Sequence, residues 1–210
     1  MVLSDPVRRL RQLAHASGVD AADIARALPG DDLIDRTGLV VDRAMTLPAP
    51  PERVWPWLLQ LGKGRAGWYL PRRVERFGVP PAWRPARSLL GGFQHLAVGD
   101  DIPDWGPGEP VFRAVTIDEP HALVYLSLRD RKHHWRWPHP DDADRDGVTA
   151  FSWALVLDPV ASTASRLHIR LRMRRSRRPL PAPVAAVGGL FDYATIELLR
   201  RGLVERLTDG

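Results

Sequence analysis

The sequence of 210 residues contains no cysteine. Disulfide bonds, thiolate metal sites and cysteine nucleophiles are therefore excluded, and the composition suits a reducing compartment. Long apolar runs are also missing, because no segment approaches the roughly 20 apolar residues that a membrane-spanning helix needs. The opening stretch, MVLSDPVRRLRQLAHASG, lacks an apolar run of signal-peptide length as well. These absences predict a soluble, cytoplasmic protein without a transmembrane segment.

Lysine is scarce, since 28 of the 30 basic residues are arginine, and the formal net charge is +5. A basic chain invites comparison with proteins that bind nucleic acid or anionic membranes. An arginine bias of this kind also arises in GC-rich genomes. The charge alone is therefore weak support for either partner.

The N-terminal segment is predicted to contain two short helices between residues 4 and 36. Asp5 and Asp20 stand where helix N-caps are needed, and a glycine follows each apolar segment. We therefore expect residues 1–36 to be a helical extension that packs on a main domain of residues 37–210.

The main domain alternates between the hydrophobic periods of strands and helices. Strands are predicted over residues 39–47, 111–117, 123–128, 149–157 and 166–173, and helices over residues 51–61, 71–77 and 184–198. In the last strand, RLHIRLRMR alternates apolar residues with arginine and histidine, so one face is expected to be buried and the other solvated. In the last helix, Phe191, Ala194 and Leu198 recur at a spacing that predicts its buried face.

The stretch LGKGRAGWY places Gly62, Gly64 and Gly67 in the G-x-G-x-x-G spacing of dinucleotide-binding loops. Such loops follow a strand, whereas these glycines follow a predicted helix. The acidic residue expected about 20 positions later is also missing, because residues 76–99 contain no Asp or Glu. We expect a helix-ending glycine and a tight loop under Trp68 instead, with no nucleotide and no cofactor.

Several segments together resemble the SRPBCC superfamily, which includes START-type lipid-binding and polyketide cyclase/dehydrase-like proteins. The segments are LPGDDL, RAMTLPAPPERVWPWLLQLGKGRAGWY, LAVGDDIP, SWALVLDP and LFDYATIELLRRGLVERL, and they are similar to those of a bacterial group within it. The resemblance covers residues 28–210 in order. It implies an α+β helix-grip (START-like) fold, in which a curved antiparallel sheet surrounds a long C-terminal helix and leaves a cavity. The sequence departs from the group at residues 70–72, where Leu-Pro-Arg replaces more usual polar and aromatic residues.

Aromatic residues are the first candidates for lining such a cavity. Trp153 falls on the face of its strand that carries the larger side chains, so it is expected to point inward. Each single aromatic is also explained by ordinary core packing. The candidate ligand-pocket residues are Arg65, Trp68, Tyr69, Tyr125, Trp153 and Phe191.

General acid–base chemistry is the second possibility, because a Tyr, Asp or Glu with a shifted pKa can move protons on a carbonyl compound. Besides Arg65 and Tyr69, the last helix offers Asp192, Tyr193 and Glu197. The alternative places Asp192 and Glu197 on the solvated side of that helix. No catalytic residue is assigned.

Two charged segments invite other functions that the residues do not favour. The loop DDADRDG copies the first half of an EF-hand, but Trp153 stands where the closing glutamate is needed, so no metal is expected. The arginine face of residues 166–174 has the charge to bind phosphates. Solvated arginines on a surface strand are the simpler interpretation, and no nucleic-acid-binding motif accompanies them.

The sequence thus favours binding of a small hydrophobic, lipid- or polyketide-like molecule in an internal cavity. The first alternative is an aromatase/cyclase-type enzyme, which an ionisable pair facing the cavity would support. The second is a basic protein that contacts nucleic acid or anionic lipid.

Overall fold

The residues that the structure describes fold around one seven-stranded sheet. A computed structural model describes residues 16–35, 37–106, 108–137, 147–174 and 182–209, with the backbone alone described for Ala16, Arg131 and residues 182–191. The strands are β1 (Ala16–Ser17), β2 (Leu39–Leu47), β3 (Asp101–Pro103), β4 (Val111–Asp118), β5 (Ala122–Asp130), β6 (Val148–Ala161) and β7 (Ala164–Arg174). The α-helices are α1 (Ala21–Ala25), α2 (Pro51–Leu59), α3 (Arg72–Gly78) and α4 (Ala182–Thr208).

The strand order is β1-β2-β7-β6-β5-β4-β3. All neighbours are antiparallel except β1 and β2, which are parallel. Trp153 of β6 stands opposite both Tyr125 of β5 and Leu171 of β7. Because side chains in register share a face, these three residues mark one surface of the sheet, which we call the inner face.

Helices α2 and α4 pack on the inner face and enclose the main apolar core. Leu47, Leu155 and Leu167 from the sheet meet Leu199 and Leu203 from α4 in this core, and all five are buried. A curved, mainly antiparallel sheet that holds a long C-terminal helix is the helix-grip arrangement. The predicted α+β helix-grip fold is confirmed.

The buried face of α4 differs from the predicted one. Ile196, Leu199, Leu203 and Leu207 form its buried stripe, whereas Ala194 is exposed. The prediction chose a neighbouring stripe with the same spacing of three and four residues, since both are apolar. Phe191 belongs to the part of α4 whose side chains lie outside the description.

The two short helices after β2 agree with the sequence. Helix α2 has Pro50 at its N-cap and Pro56 inside it, and it ends after nine residues. Pro56 has no N–H to donate, which suits a short element. Helix α3 follows Pro71 at its N-cap and ends at Gly78, as predicted.

On the opposite surface of the sheet, which we call the outer face, β7 is not the solvated arginine strand that the sequence predicted. β7 lies between β2 and β6 rather than at an edge. His168 and Arg170, on this face, are only 1% and 4% exposed. Both contact Asp42 of β2, at 2.8 Å from His168 Nε2 and 2.8 Å from Arg170 Nε.

The cover over the outer face is the segment of residues 18–35. Arg170 donates hydrogen bonds to the carbonyls of Asp23, Ile24 and Arg26, at the end of α1, and its Nη1 lies 2.8 Å from Asp31 Oδ2. Arginines that are used in this way are not available to phosphates. The arginines of residues 175–178 lie outside the described residues, so the absence of a nucleic-acid partner stays a prediction.

The secondary structure at the start of the covering segment differs from the predicted one. Asp20 caps α1, as expected from the sequence, and it also forms a capping box with Asp23. However, α1 ends at Ala25, and residues 16–17 form β1 where the first predicted helix was to end. Leu28 and Ile34 then pack on apolar residues of β5 and β6. Most of the first predicted helix lies outside the described residues.

Candidate functional site

A cavity of about 490 Å³ lies between the inner face, the start of the described part of α4 and the loop after α2. Most of its wall is apolar. Its lining comprises Leu58, Leu61, Gly62, Trp68, Ile102, Pro103, Asp104, Trp105, Phe112, Tyr125, Arg129, Phe151, Trp153, Leu155, Leu171, Asp192, Thr195 and Ile196. A volume of this size suits a small organic molecule.

Stacked tryptophans form one side of the cavity. The rings of Trp68 and Trp153 are 5.7 Å apart between centroids and inclined by only 18°. Trp105 meets Trp68 edge-on at 6.4 Å, and its side chain is largely open to solvent. The three indoles therefore run from the sheet to the mouth of the cavity.

Phe112 and Tyr125 continue the aromatic wall beyond Trp153. Their ring centroids lie 6.0 Å and 6.3 Å from that of Trp153. The Tyr125 hydroxyl makes no hydrogen bond with the residues that the structure describes. Burial raises the pKa of this phenol well above its usual value, so the group stays neutral and is free to donate a hydrogen bond.

The glycine loop determines where Trp68 stands. Gly62 and Gly67 exchange backbone hydrogen bonds of 3.1 and 3.0 Å, which close a tight turn directly after α2. Gly62 has a φ of 134°, and a Cβ there would lie 2.8 Å from Ile102 Cγ2. Backbone conformation and close packing thus account for these glycines. The absence of nucleotide binding stays a prediction.

An ion pair stands at the mouth of the cavity. Arg129 Nη2 lies 2.7 Å from Asp104 Oδ2, and the guanidinium is stacked between the rings of Phe112 and Phe151. Arg129 Nε also donates to Ser127 Oγ. The remaining guanidinium nitrogen, Nη1, makes no hydrogen bond to a described residue and is available to a guest molecule.

A second ion pair reaches the cavity from α4. Asp192 Oδ2 lies 2.9 Å from Arg43 Nη2, but this oxygen has no well-aligned hydrogen bond among the described residues. Burial raises the pKa of Asp192, and the nearby Arg43 offsets only part of that effect. Asp192 lines the cavity, contrary to the alternative that placed it on the solvated side of the helix.

The other acid of that helix behaves differently. Glu197 does not line the cavity and binds Arg200 and Arg201 on the helix surface. Hydrogen bonds from Arg200 in particular lower the pKa of Glu197 to about 2. Glu197 is therefore a surface carboxylate, in agreement with the alternative that placed it on the solvated side of the helix.

The candidate pocket residues divide into two groups. Trp68, Tyr125 and Trp153 lie together in the cavity wall. Arg65 instead donates to the carbonyls of Leu59 and Phe93, and the Tyr69 hydroxyl donates to the carbonyl of Trp57. Neither Arg65 nor Tyr69 lines the cavity.

Sequence reasoning missed Trp105, Asp104 and Arg129. Arg129 is four residues after Tyr125, so strand alternation alone predicts that both side chains share a face. Asp104 and Trp105 follow the short strand β3, for which the sequence has no periodic signal.

No group of acids and histidines able to hold a metal ion occurs among the described residues. The aspartate-rich loop, apart from Gly147, lies outside them, so the expected absence of calcium stays a prediction. Within the described part of the chain, no helix is both long and apolar enough to cross a membrane.

No protein-family model matches the chain, and no curated protein matches it. Similar solved structures include a protein from Arthrobacter aurescens, with 18% identity and a TM-score of 0.43, covering 81% of this chain and 87% of that one. The Aha1 dimer from Colwellia psychrerythraea has 12% identity and a TM-score of 0.41 over 79% and 96% of the two chains. Ara h 8.0201 has 10% identity and a TM-score of 0.42 over 81% and 98%. Likeness at this level concerns the fold and carries no function.

Proposed function

We propose that the protein binds a small, mainly apolar aromatic molecule in the cavity between the inner face and α4. The observation that supports this most is the aromatic wall, in which Trp68 and Trp153 stack beside a space of about 490 Å³. Flat aromatic surfaces favour flat ligands, because offset stacking contributes interaction energy in addition to that of the area removed from water. A polyketide-like ring system fits this wall better than a flexible acyl chain does.

Three polar positions would orient such a ligand. The Tyr125 hydroxyl and Arg129 Nη1 are donors on the sheet, and Asp192 is on the helix. A molecule with hydroxyl or keto groups at its edges would satisfy them. The remaining wall is apolar and would bury most of the ligand surface.

The domain division and the family are part of the same proposal. Residues 37–210 would form one helix-grip domain of SRPBCC type, and residues 1–36 would be an extension of it. Within the described residues, the segment 18–35 already packs on the outer face through Arg170 and Leu28.

Binding is tested with 2-naphthol as a probe in calorimetry and thermal unfolding. A ligand of this size is expected to bind with a Kd on the order of 100 μM. At ten times that concentration it should stabilise the fold by about 1.4 kcal/mol, because only the folded state binds. Trp153→Phe should weaken binding by about five- to tenfold, the value of one aromatic stack.

Trp83→Phe is the matched control, since Trp83 is exposed and does not line the cavity. Both variants keep seven tryptophans, so their fluorescence responses are comparable. The proposal fails if 2-naphthol and larger polycyclic phenols produce no thermal shift. It also fails if the two variants bind equally well.

A second candidate function is supported by Asp192. A carboxyl group with a raised pKa beside a cavity can act as a general acid or base, and here it is paired with buried Arg43. An aldol cyclisation followed by loss of water needs only such proton transfers and no cofactor. Asp192→Asn should then abolish conversion of a synthetic poly-β-ketone, followed by mass spectrometry, while 2-naphthol still binds. Equal conversion by Asp192→Asn and the native protein would exclude this role.

A further inference from the structure

An exposed apolar tip lies between α3 and β3, away from the cavity. Phe77, at the end of α3, is 80% exposed, and Trp83, in the following 3₁₀ turn, is 78% exposed. The chain between the flanking arginines, Arg76 and Arg84, is FGVPPAW, which contains no polar side chain apart from the indole. Large aromatics exposed to this degree cost free energy in water unless something covers them.

The tip is held in place by hydrogen bonds from the Arg84 side chain. Arg84 donates hydrogen bonds to the carbonyls of Glu75, Arg76 and Val79, which cluster at the end of α3. These bonds bring the 3₁₀ turn Pro81–Trp83 against the end of the helix. Phe77 and Trp83 are therefore exposed on two neighbouring elements that these hydrogen bonds hold together.

The charge around the tip is positive. Arg73 and Arg76 are exposed and have no acidic partner among the described residues. Arg76 lies over the Phe77 ring, 5.4 Å from its centroid. The acids nearby are already engaged: Asp209 with Arg72, and Glu75 and Glu205 with Arg87. Residues 76–99 contain no acid at all.

We propose that this tip docks on an anionic phospholipid surface. Aromatic side chains insert at the level of the headgroups, and arginines beside them contact the lipid phosphates. A nucleic acid would be read by hydrogen-bonding side chains, which the FGVPPAW segment lacks. The tip does not line the cavity, so this inference does not depend on the proposed ligand.

The test is co-sedimentation with vesicles of phosphatidylcholine, with and without about 30% phosphatidylglycerol. We expect partitioning at low salt to be about tenfold stronger on the anionic vesicles and to weaken as salt rises. The double variant Phe77→Ser, Trp83→Ser should lose at least about tenfold in partitioning. Arg73→Ala, Arg76→Ala should lose the preference for anionic lipid but keep weak binding.

Matched controls separate the tip from general surface properties. One control is the double variant Val98→Ser, Val160→Ser, which changes two other apolar residues that are more than half exposed. The other is the double variant Arg136→Ala, Arg201→Ala, which removes two positive charges elsewhere on the surface. Both controls should bind vesicles like the native protein. The tryptophan emission should shift to the blue on anionic vesicles, and Trp83→Phe should reduce that shift.

The proposal is overturned if the native protein does not sediment with anionic vesicles. It is also overturned if the tip variants and the controls bind equally. A third contrary result is self-association that the Phe77→Ser, Trp83→Ser variant abolishes without vesicle binding, because the tip would then be a protein interface. Circular dichroism of each variant verifies that the fold is intact.

Discussion

A buried aspartate, Asp42, and a half-buried one, Asp192, lie on opposite faces of the same sheet, and their pKa values shift in opposite directions. Asp42, on the outer face, is buried, which would raise its pKa, but hydrogen bonds from His168 and Arg170 outweigh this and lower it. Asp192 reaches the sheet from α4 on the inner face, where burial dominates over Arg43 and raises the pKa. One carboxylate is fully engaged by the fold, and the other is left partly unsatisfied beside a cavity.

The two faces of the sheet also differ in how they are packed. Its outer face is closed by the N-terminal segment, through ion pairs over β2 and β7 and through Leu28 and Ile34 over β5 and β6. Its inner face packs solidly near Leu167 and Leu199 but remains hollow around Trp153. The closed regions are well packed, and the hollow region contains the cavity of about 490 Å³.

The largest effect should follow from breaking the outer face. Arg170→Ala removes the buried guanidinium that contacts both Asp42 and Asp31, and it should cost about 3–5 kcal/mol of unfolding free energy. Urea denaturation measures this. Arg201→Ala, an exposed control paired with Glu197, should cost less than about 1 kcal/mol. Equal losses would mean that the ionic cluster does not hold the cover in place.

An intermediate effect should distinguish the packed and hollow parts of the inner face. Leu167→Phe adds volume where the side chain is fully buried, so it should cost about 1–3 kcal/mol. Leu171→Phe adds the same volume beside the cavity and should cost less than about 1 kcal/mol, while weakening 2-naphthol binding. If Leu171→Phe is as destabilising as Leu167→Phe, the cavity is not available space.

The smallest effect is the pH dependence of stability, for which the two aspartates should have opposite signs. The lowered pKa of Asp42 means that its contribution is present above its unfolded pKa of about 3.9 and is lost as the pH falls through the folded value. The raised pKa of Asp192 means that its contribution is present below about 3.9 and is lost as the pH rises through the folded value.

Urea denaturation of Asp42→Asn and Asp192→Asn between about pH 3 and pH 6 measures these signs. The difference in unfolding free energy between the native protein and Asp42→Asn should grow as the pH rises. The difference for Asp192→Asn should shrink. Slopes of the same sign would contradict the contrast between the two faces.

Periodicity was sufficient to predict most elements of the main domain, because β2, β4–β7, α2 and α4 each carry an apolar pattern, whereas α3 was predicted from Pro71 and Gly78. It was not sufficient for the outer face. Alternation in β7 shows only that its two faces differ, and the cover that buries His168 and Arg170 is more than 100 residues earlier in the chain. For the same reason, the residues next to Arg170 in the sequence do not indicate that it pairs with Asp31.

The candidate site was predictable in part. Trp153 and Tyr125 follow from strand alternation, and Trp68 follows the turn after α2. Arg65 and Tyr69 have the same residue types as pocket residues, but their polar atoms are used by backbone carbonyls of the adjoining loops. Only three-dimensional contacts distinguish such structural groups from groups that are free to meet a ligand.

The most direct test of the ligand-binding cavity is a crystal structure of the protein grown with 2-naphthol. The proposed function predicts density for the naphthyl ring against Trp68 and Trp153, with its hydroxyl near Tyr125, Arg129 or Asp192. A structure in which the aromatic side chains have collapsed to fill the space, with no density for the probe, would contradict it.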